Sequence, residues 1–156
     1  MIETEAREIA LQYALKNIEV LPGFKNEIGD TEEFTNKYYF DLRLVPLDGH
    51  IKEDISFGGA RGLVVDKNNS EIEIMTHSDY FILSEIENEL ARIHQFLLDF
   101  KNGKKKLTDI KTILDLSSKQ LLQLSNFVKN IEFKKEKTYE IVSGLLEEIK
   151  YAKNDE

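Results

Sequence analysis

The hydrophobic period of the chain changes once, near residue 85, and that switch most constrains the fold. Before it, short runs alternate apolar and polar residues, the period of half-buried strands; after it, apolar residues recur every three or four positions, the period of helices with one buried face. A chain patterned this way is expected to be α+β: an N-terminal helix packed on a small antiparallel sheet, followed by a C-terminal helical extension of three to four helices. The expected division is 1–83 for the α+β part and 84–156 for the helical part.

Within the first part, Thr4 is a candidate N-cap, and Ala6, Ile9, Ala10, Tyr13 and Ala14 share one helical face that should end before Pro22-Gly23. From Lys37 to Val45 the residues alternate, with Tyr38, Phe40, Leu42 and Leu44 on one side and Tyr39, Asp41, Arg43 and Val45 on the other. Pro46 should end that strand's pairing, and Asp48-Gly49 supplies a turn. Further strands are expected over 54–57 and 62–66, with the latter forming a hairpin to 71–76 through Lys67-Asn68-Asn69-Ser70. In that hairpin Ile72 and Ile74 should point inward and Glu71 and Glu73 outward. Residues 24–34 could carry another strand, although their alternation is poor.

Ser84 followed by Glu87 reads as a capping box that starts a helix with Ile86, Leu90, Ile93, Leu97 and Phe100 on one stripe, ending at Asn102-Gly103. Helices over 108–116, 118–131 and 136–152 should follow, with stripes that include Leu121, Leu124, Val128, Tyr139 and Val142. Such stripes can pack on each other, on the sheet, or on a second copy of the chain as a homodimer.

Composition narrows the chemistry. The chain has no cysteine, which excludes disulfides, thiolate metal sites and a cysteine nucleophile, and fits a reducing cytosol. Glu3, Glu5 and Glu8 stand where a secretory signal would be basic, and no run is long enough to span a membrane, so a cytoplasmic location is expected. The net charge of −8 is uneven: residues 1–90 hold 19 Asp and Glu against 8 Lys and Arg, and residues 91–156 hold 10 against 13. An acidic first half can steer toward a basic partner.

No residue pattern reads as a catalytic centre. His50, His77 and His94 are isolated from one another, so no metal or other cofactor is implied. His77-Ser78-Asp79 contains hydrolase residue types, but chain neighbours do not by that fact converge on a substrate, and a loop or capping role is expected. Gly58-Gly59-Ala60-Arg61-Gly62 precedes a strand rather than a helix and lacks the Gly-Lys-Ser/Thr ending of a phosphate loop. Paired carboxylates at Glu53-Asp54 and at Glu71 and Glu73 lie on turns or on a solvent face, where both members stay ionised. Their expected use, with Tyr39 and Asp41, is to bind basic residues of a partner. Lys104-Lys105-Lys106 and the helical segment 107–126 have a helix-turn-helix cadence, but the turn lacks glycine and the acidic chain would repel phosphates, so no direct nucleic-acid binding is expected.

Three segments, EAREIALQYAL, KYYFDLRLV and DISFGGARGLVVDKNNSEIEIMTHSDYF, give residues 5–83 a pattern that resembles the YrhB-type immunity family of bacterial polymorphic-toxin loci. Gly58, Gly59, Val64, Val65, Asp66, Lys67 and Tyr80 occupy the positions that carry the resemblance. The strand reads Tyr-Tyr-Phe where the family commonly has tryptophan, and the helical tail extends beyond the match. The resemblance implies a non-catalytic inhibitor that docks on a basic toxin or nuclease through an acidic surface. An alternative from another class is a phage-type anti-defence protein or nucleic-acid mimic, which requires a long continuous acidic stripe rather than a local patch.

Overall fold

The computed structural model describes residues 1–49, 62–114, 116–130, 134–140 and 142–143. In chain order the elements are α1 (Glu3–Asn17), β1 (Phe24–Glu33), β2 (Lys37–Pro46), β3 (Gly62–Asp66), β4 (Ile72–Met75), α2 (His77–Lys101), α3 (Leu107–Leu114) and α4 (Ser118–Asn130). Residues 135–140 are also helical. The chain divides into two compact units, Met1–Phe81 and Ile82–Glu156. The fold is α+β, with an N-terminal helix on a four-stranded antiparallel sheet and then a long helix and shorter ones.

In the first unit the sheet order is the chain order, β1-β2-β3-β4, and every pairing is antiparallel. Ala6, Ala10 and Ala14 are fully buried on α1 against Ile28, Tyr38, Phe40, Leu63 and Val65 of the sheet. Alanine at every fourth position keeps that helix face shallow, so the larger sheet side chains fill the interface. Asn26, buried on β1, donates its side-chain amide to the carbonyl oxygens of Ala14 (3.3 Å) and Ile18 (3.1 Å). The Ala14 carbonyl also accepts the last helical bond, from Ile18 N–H, and Ile18 lies just past the end of α1, so this amide fastens the helix end to the sheet.

Residues 24–34 do form a ten-residue strand, and the reason for their poor alternation is a β-bulge. Ile28 pairs with Leu42 and Thr31 with Phe40, so Gly29 and Asp30 together oppose Asp41. The extra residue shifts the inward set by one place and breaks the period-two signal. Arg7 on α1 holds the bulge, donating to the carbonyls of Ile28 (2.8 Å) and Gly29 (3.1 Å) and to Thr31 Oγ1 (3.0 Å).

Several expected boundaries move. Helix α1 begins at Glu3, ahead of Thr4, with the Glu5 carboxylate accepting from Ile2 N–H at 3.2 Å. Pro46 remains in the ladder opposite Phe24, since a proline lacks only the donor. Helix α2 starts seven residues before Ser84, because Thr76 and Asp79 form the capping box: Asp79 Oδ2 accepts from Thr76 N–H (3.1 Å), and Thr76 Oγ1 from Asp79 N–H (3.2 Å). Asp79 of the His77-Ser78-Asp79 run is thus a helix cap. At the far end, Gly103 adopts φ +73°, and the N–H groups of Gly103 and Lys104 bond back to Phe100 and Asp99. That is the glycine-terminated stop expected from Asn102-Gly103. The expected strand over 54–57 lies outside the described residues.

In the second unit the helical stripes pack on each other. Ile82, Ile86, Ile93, Phe96 and Leu97 of α2 share one core with Ile110, Leu116, Leu124, Val128 and Val142. Helix α4 has a capping box of its own, with Ser117 N–H donating to Gln120 Oε1 (2.8 Å) and Gln120 N–H to Ser117 Oγ (3.2 Å). His94 Nδ1 lies 2.9 Å from the hydroxyl of the buried Thr138. Burial, and then the Lys135 ammonium, hold this imidazole below the ordinary histidine value of 6.5, while Glu136 opposes the shift weakly. In acid the unfolded chain therefore takes up this proton before the folded one. The His94 contribution to stability is fully present above pH 6.5 and is lost as pH falls from there through the folded value. The thermal midpoint of the wild type should accordingly drop more over that range than that of His94→Gln; parallel curves for the two proteins would remove the histidine from the account.

Candidate interaction surface

Of the polar residues singled out in the sequence, the sheet face opposite α1 carries Tyr39, Asp41 and Glu73. Glu32, Tyr39, Val64 and Glu73 are ladder partners and form one row across all four strands, with a carboxylate at each end. At the centre Tyr39 is only 9% exposed. Its ring packs at 4.6 Å from that of Tyr80 in the first turn of α2, and Phe34 meets Tyr80 edge-on at 6.4 Å. Tyr39 is therefore part of an aromatic cluster in this unit. Gly62 makes the packing possible, because a Cβ there would lie 2.0 Å from the Tyr39 ring.

Tyr80 donates its hydroxyl to Glu32 Oε2 at 2.6 Å. That bond, together with burial and the nearby carboxylate charge, pushes the phenol up to about 12, since ionising it would set two anions side by side. In an alkaline titration followed by near-ultraviolet difference absorbance, Tyr80 is expected to keep its proton after ordinary tyrosines have ionised. Tyr80→Phe should remove the last-titrating group, and Glu32→Gln should bring its midpoint down. A Glu32→Gln curve identical to the wild type would mean that the pair does not control it.

The other residues fall into separate settings. Asp41 accepts from Arg43 Nε at 2.9 Å, and Arg43 also bonds Asp30, so three charges meet across the bulge. The Asp41 hydrogen bond and the Asp30 charge raise the already high guanidinium value further. Glu73 is 59% exposed and faces Lys37 Nζ at 3.6 Å. Glu71 accepts from Asn69 Nδ2 at 2.8 Å in the β3–β4 turn, where Asp66 Oδ1 caps the N–H groups of Asn68 and Asn69 and Ser70 takes φ +62°. Beside Glu73, Ile74 is 50% exposed instead of turned into the core. It shares the ladder row of Leu63 and Phe40, but it stands on the outermost strand, and the core against α1 reaches only as far as Ile72. The structure thus sets Glu73 and Ile74 side by side on one strand with Glu71 just before them. It places Asp41 two strands away, and Glu53 and Asp54 lie outside the described residues.

Lys67 was legible only as a turn residue. Its ammonium reaches Glu33 (2.7 Å) and the carbonyls of Phe34 (2.6 Å) and Thr35 (3.2 Å), and it lies over the Tyr38 ring at 4.6 Å. This contact ties the β3–β4 turn to the β1–β2 turn, and the Lys67 hydrogen bond holds the Glu33 carboxyl below its usual range. Arg7, Asn26 and the Glu32–Tyr80 pair were likewise not picked out, since each acts on a residue more than ten positions away. In the second unit, Lys105 stacks over Phe96 at 5.4 Å.

Among the described residues no group of three His, Asp or Glu side chains is placed to hold a metal ion, and no helix is long and apolar enough to cross a membrane. The net charge divides sharply between the units: residues 1–81 hold 16 Asp and Glu against 8 Lys and Arg, whereas residues 82–156 hold 13 against 13. Comparison with models of known protein families, with curated protein sequences and with solved structures gives no match.

Proposed function

We propose that the chain is a non-catalytic binding protein of the immunity type, which inhibits a basic toxin or nuclease domain by docking its acidic first unit over it. The observation that carries this reading is the outer strand β4 and its approach, which present the Glu73 carboxylate on one face and the exposed Ile74 on the other, with Glu71 just before them. A strand with acidic charge on one face and an exposed apolar residue on the other suits a basic partner that reaches its edge: the charge speeds encounter and the apolar group supplies contact energy. Confinement of the −8 balance to the first unit supports the same face. On the sheet, Arg43, Lys37 and Lys67 interrupt the carboxylates, which favours a local patch over the continuous stripe of a nucleic-acid mimic.

The test is affinity capture from lysate of the source cells with the tagged chain, with identification of whatever is bound. The expected catch is a basic toxin or nuclease domain, and its recovery should drop at raised salt and with Glu71→Lys/Glu73→Lys. Capture of a partner that is indifferent to salt and to both reversals would contradict docking through this face. Recovery of another copy of the chain alone would remove the inhibitor reading.

A further inference from the structure

Resting on that reading, we infer that the partner contributes an extended basic segment that adds to the sheet as a fifth strand along β4. The two outer strands are not equivalent. On β1 the bulge at Gly29 and Asp30 breaks the ladder, Arg7 occupies the carbonyls of Ile28 and Gly29, and Lys25 adds a charge, which are devices that discourage pairing with another chain. Strand β4 has no bulge, and its one charge, Glu73, is acidic and so admits a basic strand. Its register against β3 runs unbroken from Val65–Ile72 to Gly62–Met75, and among the described residues β3 is its one neighbour.

The hydrogen-bond pattern says which groups a new strand would meet. Asp66 N–H donates to the carbonyl of Glu71 at 2.9 Å, which puts these two at a hydrogen-bonded position of the ladder, although Glu71 N–H itself turns to Asn69 Oδ1. Such pairs alternate along an antiparallel ladder, so Val64–Glu73 and Gly62–Met75 are also hydrogen-bonded pairs. The backbone N–H and C=O groups of Ile72 and Ile74 therefore point away from β3. A strand laid there bonds to these groups, while its side chains lie beside Glu73 on one face and Ile74 on the other. Lysine or arginine beside Glu73, alternating with a β-branched residue beside Ile74, is the complementary sequence. A second copy of the chain is the poorer occupant, because self-pairing centred on Glu73 sets two carboxylates side by side.

The probe is a synthetic peptide that alternates lysine with valine, with a glutamate–valine peptide as control, added to the full chain. Amide hydrogen exchange at Ile72 and Ile74 should be fast in the free protein and slow by about tenfold or more with the lysine peptide only. Ile74→Pro deletes an outward N–H and leaves the β3–β4 bonds intact; it should weaken both the peptide and the captured partner by about tenfold or more. The exchange measurement needs no variant, so it decides the matter even where Ile74→Pro perturbs the fold. Binding that is weakened by Glu73→Lys but untouched by Ile74→Pro, with unchanged exchange at Ile72 and Ile74, overturns strand addition and leaves charge-guided docking standing. A captured partner indifferent to Glu73→Lys and Ile74→Pro alike overturns both. Slow exchange at Ile72 and Ile74 in a free protein of dimeric mass identifies a second copy as the occupant and overturns the basic segment.

Discussion

Gly62→Ala is expected to destabilise the first unit by about 1–3 kcal/mol, although alanine is the smallest side chain that can be added. The new Cβ would lie 2.0 Å from the Tyr39 ring, inside any permissible contact. Tyr39 would have to turn, and it is buried against Tyr80, whose hydroxyl is engaged by Glu32. Relief at one position therefore disturbs a chain of three. Two readouts separate this from a general loss of strand propensity. In a Tyr39→Ala background the same Gly62→Ala substitution should cost only a few tenths of a kcal/mol, because the ring it collides with is gone. In the single variant, the late-titrating Tyr80 should move back toward an ordinary tyrosine. Equal costs in both backgrounds, measured by urea unfolding, would show that the close approach is not the cause.

Arg7→Ala should cost about 2–3 kcal/mol, a large effect for a side chain that is only partly buried. One guanidinium supplies bonds to two backbone carbonyls and a hydroxyl at the bulge, and all three acceptors lose that donor when it is removed. Arg7→Lys should recover only part of the loss, since a single ammonium cannot present the same planar fork to all three acceptors. The bulge sets which residues of β1 face the core, so the Ala variant should also speed amide exchange around Gly29 and Thr31. Unfolding curves for wild type, Arg7→Lys and Arg7→Ala that superimpose would contradict this role.

These two cases show where the fold was legible in the sequence and where it was not. Strand β2 was read from Tyr38, Phe40, Leu42 and Leu44 because a regular strand repeats its environment every second residue, whereas β3, buried at four successive positions, was read over 62–66 from its place ahead of the turn-rich Lys67-Asn68-Asn69-Ser70. Gly103 marked the end of α2 because its positive φ is a local requirement. Strand β1 was nearly lost, since the alternation that signals a strand is what a bulge interrupts. The start of α2 was misplaced because Ser84-Glu87 and Thr76-Asp79 satisfy the same short-range pattern, and only the second directly follows β4. Ile74 was assigned to the core because periodicity reports the face a residue takes, not how far the covering helix reaches.

The candidate surface followed the same division. The acidic character of the first half and the outward direction of Glu71 and Glu73 were readable directly. The burial of Tyr39 was not, because its cover comes from Tyr80, forty-one positions later. Nor was the engagement of Asp41 by Arg43, which depends on the bulge that brings Asp30 to the same place. What the structure adds is position: Glu73 and Ile74 stand together on an outer strand, with the backbone of Ile72 and Ile74 turned outward.

An inhibitor that covers its target's site must abolish the target's activity in proportion to the amount bound. The direct measurement is a titration of the captured basic partner's own activity with the full chain. Activity should fall linearly to a floor near one chain per partner, and Glu71→Lys/Glu73→Lys should lift that floor. A partner that stays fully active when saturated with the chain would contradict the account, whatever its affinity.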